Sequence, residues 1–260
     1  MRNHDELTLD KLSDDERKEV FAAFGPDPST QLYGRGLRRR LPSMLGGDPA
    51  RLRLVYSLLF SLPGTPTLFY GEEIGMGENL AAEGRLAVRT PMQWTGGPNG
   101  GFSTAGPDRL VGPVVEGDFG PANVNVAAQR DDPGSLLSWF TAMIRAYRRC
   151  PEFAWGTCTV LDCADLPSVF AHRTDLNGQT VVAVHNLGRE PAGIRLALAG
   201  VERGDRLVRL AGADEAGGDL VAGDGGAVEL DLDGYGFRWL RVRRGGTDGQ
   251  VRPTVGESAA

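Results

Sequence analysis

The stretch TPTLFYGEEIGMG, residues 65–77, decides the fold class. Its residues 67–70 form a short continuous apolar run, the pattern of a strand buried on both faces inside a parallel sheet. The run ends abruptly at Gly71, Glu72 and Glu73. Carboxylates at the C-terminal edge of a parallel strand stand where α/β folds assemble their active sites. One of the two acids is expected to face a pocket rim and the other to enter a hydrogen-bond or ion-pair network.

Helical signals lie on both sides of this strand. Upstream, Asp48 followed by Pro49 is an N-cap with proline at the first helical position. Leu52, Val55, Leu58, Leu59 and Leu62 then recur at helical spacing until Pro63 and Gly64 end the run. Ser13 with Glu16 three residues later is a capping box, and the helix it opens should reach about Phe24 before Gly25 and Pro26 stop it. Downstream, residues 78–132 show little periodicity. A stretch so long inside a compact domain is read as a folded excursion over an active-site face. A further helix is expected from a cap at Asp131 or Asp132, with apolar positions Leu136, Leu137, Phe140, Met143, Ile144 and Tyr147.

From about Gly156 the period changes from helix to strand. Six or seven short strands separated by glycine turns predict an antiparallel sandwich over 156–244, with Asn177-Gly178 as its clearest hairpin turn. His172 and His185 read as packed strand residues, and Phe237 and Trp239 as inward-facing. The tail over 245–260 is polar and is expected to be disordered.

A net charge of −6 argues against a nucleic-acid partner, and no apolar run reaches the roughly 18 residues of a bilayer span. The basic group Arg35, Arg38, Arg39 and Arg40 reads as a solvated or salt-bridged helix face. Three cysteines without metal spacing fit reduced thiols, and with no apolar leader at the start the expected location is cytoplasmic.

The opening RNHDEL, residues 2–7, places reactive side chains where a chain is ordinarily least ordered. Taken with YSLLFSLPGTPTLFYGEEIGMG and GRLAVRTPMQW, it resembles the back half of an α-amylase-type (β/α)8-barrel enzyme. NGGFS, NVNVAAQRDDPGSLLSWFTAMIRAYR and GYGFRWLRV narrow the resemblance to the trehalose synthases, which isomerise maltose to trehalose. The resemblance covers residues 2–243 in order. It implies an incomplete C-terminal part of a (β/α)8 TIM barrel over 1–155, followed by the β-sandwich.

By this resemblance Asp5 is the carboxylate that stabilises an oxocarbenium-like transition state. His4 would hydrogen-bond sugar hydroxyls, Arg89 would approach the acceptor sugar, and Glu73 would join the substrate-binding rim. Trp94 reads as core, with a sugar-stacking platform as the alternative. Maltose and trehalose would be the substrates, no cofactor is expected in this chain, and a divalent metal site would lie in the part of the family fold that this sequence does not match. The parent enzyme could be a homo-oligomer. A complete barrel takes roughly 250 residues. The chain is therefore expected to lack the nucleophile and the acid/base, to leave the faces of residues 52–62 and 68–70 exposed, and to be inactive by itself. The alternatives are an α-1,4 or α-1,6 glucoside hydrolase and a non-catalytic glucan-binding module.

Overall fold

The fold is that of a computed structural model, which describes residues 4–163, 165–212 and 218–245. Arg2 and Asn3, and the expected disordered tail from 246 onward, lie outside the described residues. The chain divides into two compact units, residues 1–158 and 159–260.

The first unit is helical with very short strands: β1 (Leu7–Thr8), α1 (Asp14–Phe24), β2 (Gln31–Leu32), β3 (Gly36–Leu37), α2 (Leu41–Met44), α3 (Pro49–Ser61), α4 (Val126–Arg130), α5 (Leu136–Arg148) and α6 (Pro151–Trp155). The capping box forms as expected: the Ser13 amide donates to Glu16 at 2.8 Å, and the Glu16 amide donates back to the Ser13 hydroxyl. Asp48 caps α3 by accepting from the amides of Ala50 and Arg51.

The buried face of α3 differs from the one its leucines indicate. Leu52, Leu54, Tyr56 and Phe60 are buried, whereas Val55, Leu58 and Leu59 are half-buried and Leu62 is exposed. The reason lies in α5: Phe140 packs edge-on against Tyr56 at 4.6 Å and against Phe60 at 6.3 Å, which turns the aromatic side of α3 inward. The cap of helix α5 itself lies three residues beyond Asp132. The Asp132 side chain accepts from the Gly134 amide, closing a local turn, and Ser135 becomes the cap through the Ser138 amide. Helix α4 carries no long apolar period; it forms because Asn125 accepts from the Ala128 amide.

Two expectations fail at the decisive stretch. Residues 65–69 form no strand, and among the described residues this unit holds no parallel ladder, only the antiparallel order β1-β3-β2. Nor is the run buried on both faces: Thr67 and Tyr70 are exposed, and Leu68 and Phe69 are half-buried. A parallel strand needs neighbours supplied by other strand–helix crossovers, and burial comes from those neighbours rather than from the apolar run.

The arginine group is salt-bridged, as the second alternative had it, but on no helix, since residues 38–40 follow β3 as irregular backbone. Arg38 donates to the carbonyls of Ser29, Leu80 and Ala82, and Arg39 pairs with Glu78 at 3.0 Å. Arg40 is fully buried. It donates to the carbonyls of Tyr70 at 2.7 Å and Val88 at 2.9 Å, stands 3.5 Å from Glu72, and lies over the Phe69 ring at 4.5 Å. Burial lowers its pKa, opposed by Glu72. Arg40 thus ties the end of the apolar run to the turn at Val88 from inside, where a ladder would otherwise hold it.

The second unit is antiparallel. A six-stranded sheet runs in the order β4 (Thr157–Val160), β5 (Val169–Leu176), β6 (Gln179–Asn186), β11 (Phe237–Arg243), β8 (Arg206–Gly212) and β9 (Leu220–Val221). The pair β10 (Ala227–Leu232) and β7 (Ala192–Ala197) forms a second sheet. Ile194, Leu196, Val228 and Leu230 of the pair share one apolar core with Val182, Val184 and Leu240 of the larger sheet. Asn177 and Gly178 turn the β5–β6 hairpin with φ of 48° and 77°, the mirror-image geometry that suits strand twist. His172 and His185 are buried and stacked at 6.3 Å, and Phe237 and Trp239 are buried. Among the described residues no helix is long and apolar enough to cross a membrane.

Two outcomes test this account. Arg40→Ala strands buried Glu72 and should lower stability by about 3–5 kcal/mol in urea unfolding; a loss below about 1 kcal/mol contradicts the assigned role. Burial pushes the His172 imidazole down to about 4 from 6.5. Between those values the unfolded chain takes up a proton that the native state refuses, so stability should fall as pH falls, by about 3 kcal/mol in all at 1.36 per pH unit. An NMR titration placing His172 near the ordinary histidine value refutes this.

Candidate active site

The chain start is anchored by its own sequence. Leu7 and Thr8 pair with Leu37 and Gly36, and the Leu9 amide donates to the Arg35 carbonyl at 2.8 Å. Glu6 is buried, and its carboxylate binds two arginines: Arg85 Nε at 2.7 Å and Arg35 Nη2 at 3.2 Å. The Arg85 hydrogen bond holds its pKa below the ordinary value, against the opposing effect of burial. The Tyr33 ring lies beneath both guanidiniums, 5.5 Å from Arg85 and 5.9 Å from Arg35.

On this base the structure brings together Asp5, His4 and Arg89. A 3-10 turn over Gly84–Val88 directs Arg85 and Arg89 to the same carboxylate oxygen: Asp5 Oδ1 lies 3.1 Å from Arg85 and 3.2 Å from Arg89. Arg89 Nε also donates to the His4 carbonyl at 2.7 Å. The His4 ring stands 3.7 Å from Asp5 Oδ2, and the Asp5 side chain is 36% exposed. Two fixed cations hold one oxygen while the other faces an imidazole at the surface. Such a carboxylate is set to meet a developing positive charge without reorganising.

The two acids of residues 72 and 73 part as their spacing implies. Gly71 and Gly75 flank them with φ of 85° and 82°. A Cβ at Gly71 would lie 2.4 Å from Met76 Sδ, so this tight turn admits no larger residue. Glu72 turns inward, where it is buried, accepts from the Tyr56 hydroxyl and faces Arg40. Glu73 lines a cavity of about 750 Å³ together with Tyr70, Arg89, Thr90, Trp94 and Phe102. Arg89 therefore belongs both to this cavity and to the Asp5 cluster.

Trp94 is 47% exposed, so its reading as core is wrong. The expected excursion over 78–132 is folded, through 3-10 turns at Gly84–Val88, Pro98–Gly101, Pro107–Arg109 and Gly117–Phe119 and through α4. Arg85 and Tyr33 escaped the sequence reading, and Arg35 was read only as one of the basic group, without its partner Glu6. The i, i+4 spacing of Arg85 and Arg89 is the one local signal pointing to Arg85. Among the described residues, no group of three or more His, Cys, Asp or Glu is placed to hold a metal ion.

Comparison with known proteins matches the chain in two stretches. The α-amylase catalytic domain family model matches residues 37–156, and the sucrose hydrolase-like C-terminal domain model matches residues 178–241. A trehalose synthase/amylase of Mycobacterium tuberculosis is 44% identical over 202 residues, 76% of this chain and 33% of that protein. The trehalose synthase of Pimelobacter is 38% identical over 257 residues, 96% of this chain and 43% of that protein. The trehalulose synthase of Pseudomonas mesoacidophila MX-45 shares the fold with a TM-score of 0.60 at 21% identity, over 93% of this chain and 42% of that one. The chain thus spans between a third and about two fifths of the length of these curated relatives.

Arg85→Ala should move the Glu6 titration midpoint upward, because the hydrogen bond that most favours its ionised form is removed. Carboxylate NMR of wild type and variant reads this directly. An unchanged Glu6 midpoint contradicts the assigned linkage.

Proposed function

We propose, for a chain that belongs to the α-amylase family and is trehalose synthase-like, that it supplies part of a site interconverting maltose and trehalose by α-glucosyl transfer with retention. The observation that carries this reading is Asp5, held by Arg85 and Arg89 beside His4, with Arg89 also lining the cavity of Glu73. Asp5 stabilises the oxocarbenium-like transition state. His4 and Arg89 bind hydroxyls of the cleaved and accepting sugars, and Glu73 binds at the rim. Fixed charges of this kind act where charge develops and need no rearrangement as it does.

Retaining transfer also needs a nucleophilic carboxylate and an acid/base, roughly 5–5.5 Å apart across the glycosidic bond. Glu6, which shares Arg85 with Asp5, is unsuited to either role. It is buried, which keeps a sugar carbon from its oxygens, and it is held ionised, which leaves it no proton to give as an acid. The sequence contains no further pair matching the family's nucleophile and acid/base motifs, so we assign those groups to a portion of the enzyme outside this sequence. The excursion over 78–132 is the lid, which decides whether freed glucose or water meets the glucosyl intermediate. Hydrolysis is the second reading, favoured by the double name trehalose synthase/amylase of the mycobacterial relatives. Cys150, Cys158 and Cys163 form no disulfide in the structure, which fits a cytoplasmic enzyme.

The test is product analysis of labelled maltose. The chain by itself should form no trehalose. Mixed with the N-terminal portion of the Pimelobacter trehalose synthase, it should form trehalose, and Asp5→Asn should lower that rate at least about 100-fold. Trehalose made by the chain alone, or full activity of the Asp5→Asn mixture, overturns the reading.

A further inference from the structure

Asparagine followed by glycine occurs at two places in the sequence, Asn99-Gly100 and Asn177-Gly178. The pair is chemically special because glycine sets no side chain beside its own amide nitrogen. That nitrogen can reach back to the asparagine side-chain carbon and close a cyclic imide. Both asparagines are left-handed, with φ of 52° at Asn99 and 48° at Asn177, and ring closure needs the backbone to rotate out of this conformation. Their surroundings are opposite. At Asn99 the reacting groups are held. The side-chain amide donates to the carbonyls of Ser103 at 3.0 Å and Ala105 at 2.7 Å. The Gly100 amide, which would be the nucleophile, is buried and donates to the Gly97 carbonyl at 3.0 Å. A Cβ on Gly100 would stand 3.4 Å from Gln93 Cα and from the Pro121 ring, so this backbone has little room to turn. A non-glycine residue kept left-handed by such surroundings marks a loop whose shape is over-determined.

At Asn177 these restraints are absent. Asn177 and Gly178 are both exposed, and among the described residues neither the asparagine side chain nor the Gly178 amide makes a hydrogen bond. A Cβ on Gly178 would meet nothing within 4 Å. The hairpin is held by its strands, where Leu176 pairs with Gln179, so the tip can rotate while the ladder stays. We propose that Asn177 is a site of spontaneous deamidation and that the fold shields Asn99 from the same reaction. The Gly178 nitrogen gives its proton to a solvent base and forms a bond to Asn177 Cγ. The Cγ–Nδ2 bond breaks, and that nitrogen leaves as ammonia. Water then opens the imide at either carbonyl, with no oxidation or reduction. Opening at Cγ gives aspartate, which keeps the turn because Asp-Gly suits the same mirror-image geometry. Opening at the backbone carbonyl gives isoaspartate. Its main chain runs through the side chain and adds a carbon atom to a loop whose length sets the register of β5 against β6.

Peptide mapping by mass spectrometry reads both sites in one sample of the full chain, incubated in mildly alkaline buffer made with heavy-oxygen water. Circular dichroism before and after incubation establishes that the chain is folded. The peptide holding Asn177 should convert at least about tenfold faster than the one holding Asn99, where hydrogen bonds must open first. Its product should carry a solvent oxygen, as hydrolysis of an imide requires. In urea, where the turns are lost, the two sites should react within about threefold of each other. No conversion at Asn177, equal rates in the folded chain, faster reaction at Asn99, or a difference that survives urea overturns the assignment. Neither asparagine has a part in the glucosyl-transfer reading, so the product assay of that reading and this experiment succeed or fail separately.

Discussion

The buried carboxylate of Glu6 is the constraint on which the candidate site depends. A desolvated acid must be paired, and Arg35 and Arg85 reach it from two different segments of the chain. Arg35 belongs to the turn between β2 and β3, and Arg85 to the 3-10 turn at Gly84–Val88. The chain start is thereby joined to both, and Asp5, one residue earlier, comes under Arg85 and Arg89. An opening segment that reads as a loose terminus is instead a fixed wall of the site.

A second buried ion group does comparable work elsewhere in the first unit. Arg40 replaces part of what strand neighbours would supply to residues 65–69, binding the Tyr70 carbonyl, the Val88 carbonyl and the Phe69 ring. Glu72 and Tyr56 complete it and link the turn after the apolar run to α3. The cavity between Glu73 and Trp94 is shaped by these same segments, so its geometry follows from interior polar pairing as much as from apolar packing. In the second unit the balance is the reverse. There, alternating aliphatic residues of two sheets close one core, and the polar surface is set by default.

What local chemistry controls was readable in advance. The capping box at Ser13, the Asp48-Pro49 start of α3 and the Asn177-Gly178 hairpin depend on residues within a few positions of each other, and each formed as read. The strands of the second unit follow from a two-residue period that few other structures tolerate. The errors share a different cause. The buried side of α3, the start of α5 and the exposure of Trp94 depend on what each segment meets, which period and propensity do not encode. Asp132 is a good cap residue, but it closed a turn with Gly134 and left the role to Ser135.

The amino-acid sequence alone determined most element types and the change from helix to strand near residue 156, and it brought Asp5, His4, Arg89 and Glu73 forward as candidates by resemblance. Tertiary structure alone decided that residues 65–69 have no ladder, that Glu72 turns inward while Glu73 meets the cavity, and that Arg85 joins Glu6 to Asp5. The physical reason is range. Caps, turns and periods act over a few residues of backbone, whereas an ion pair such as Arg85 with Glu6 joins groups 79 residues apart and exists only once the chain has folded to bring them together.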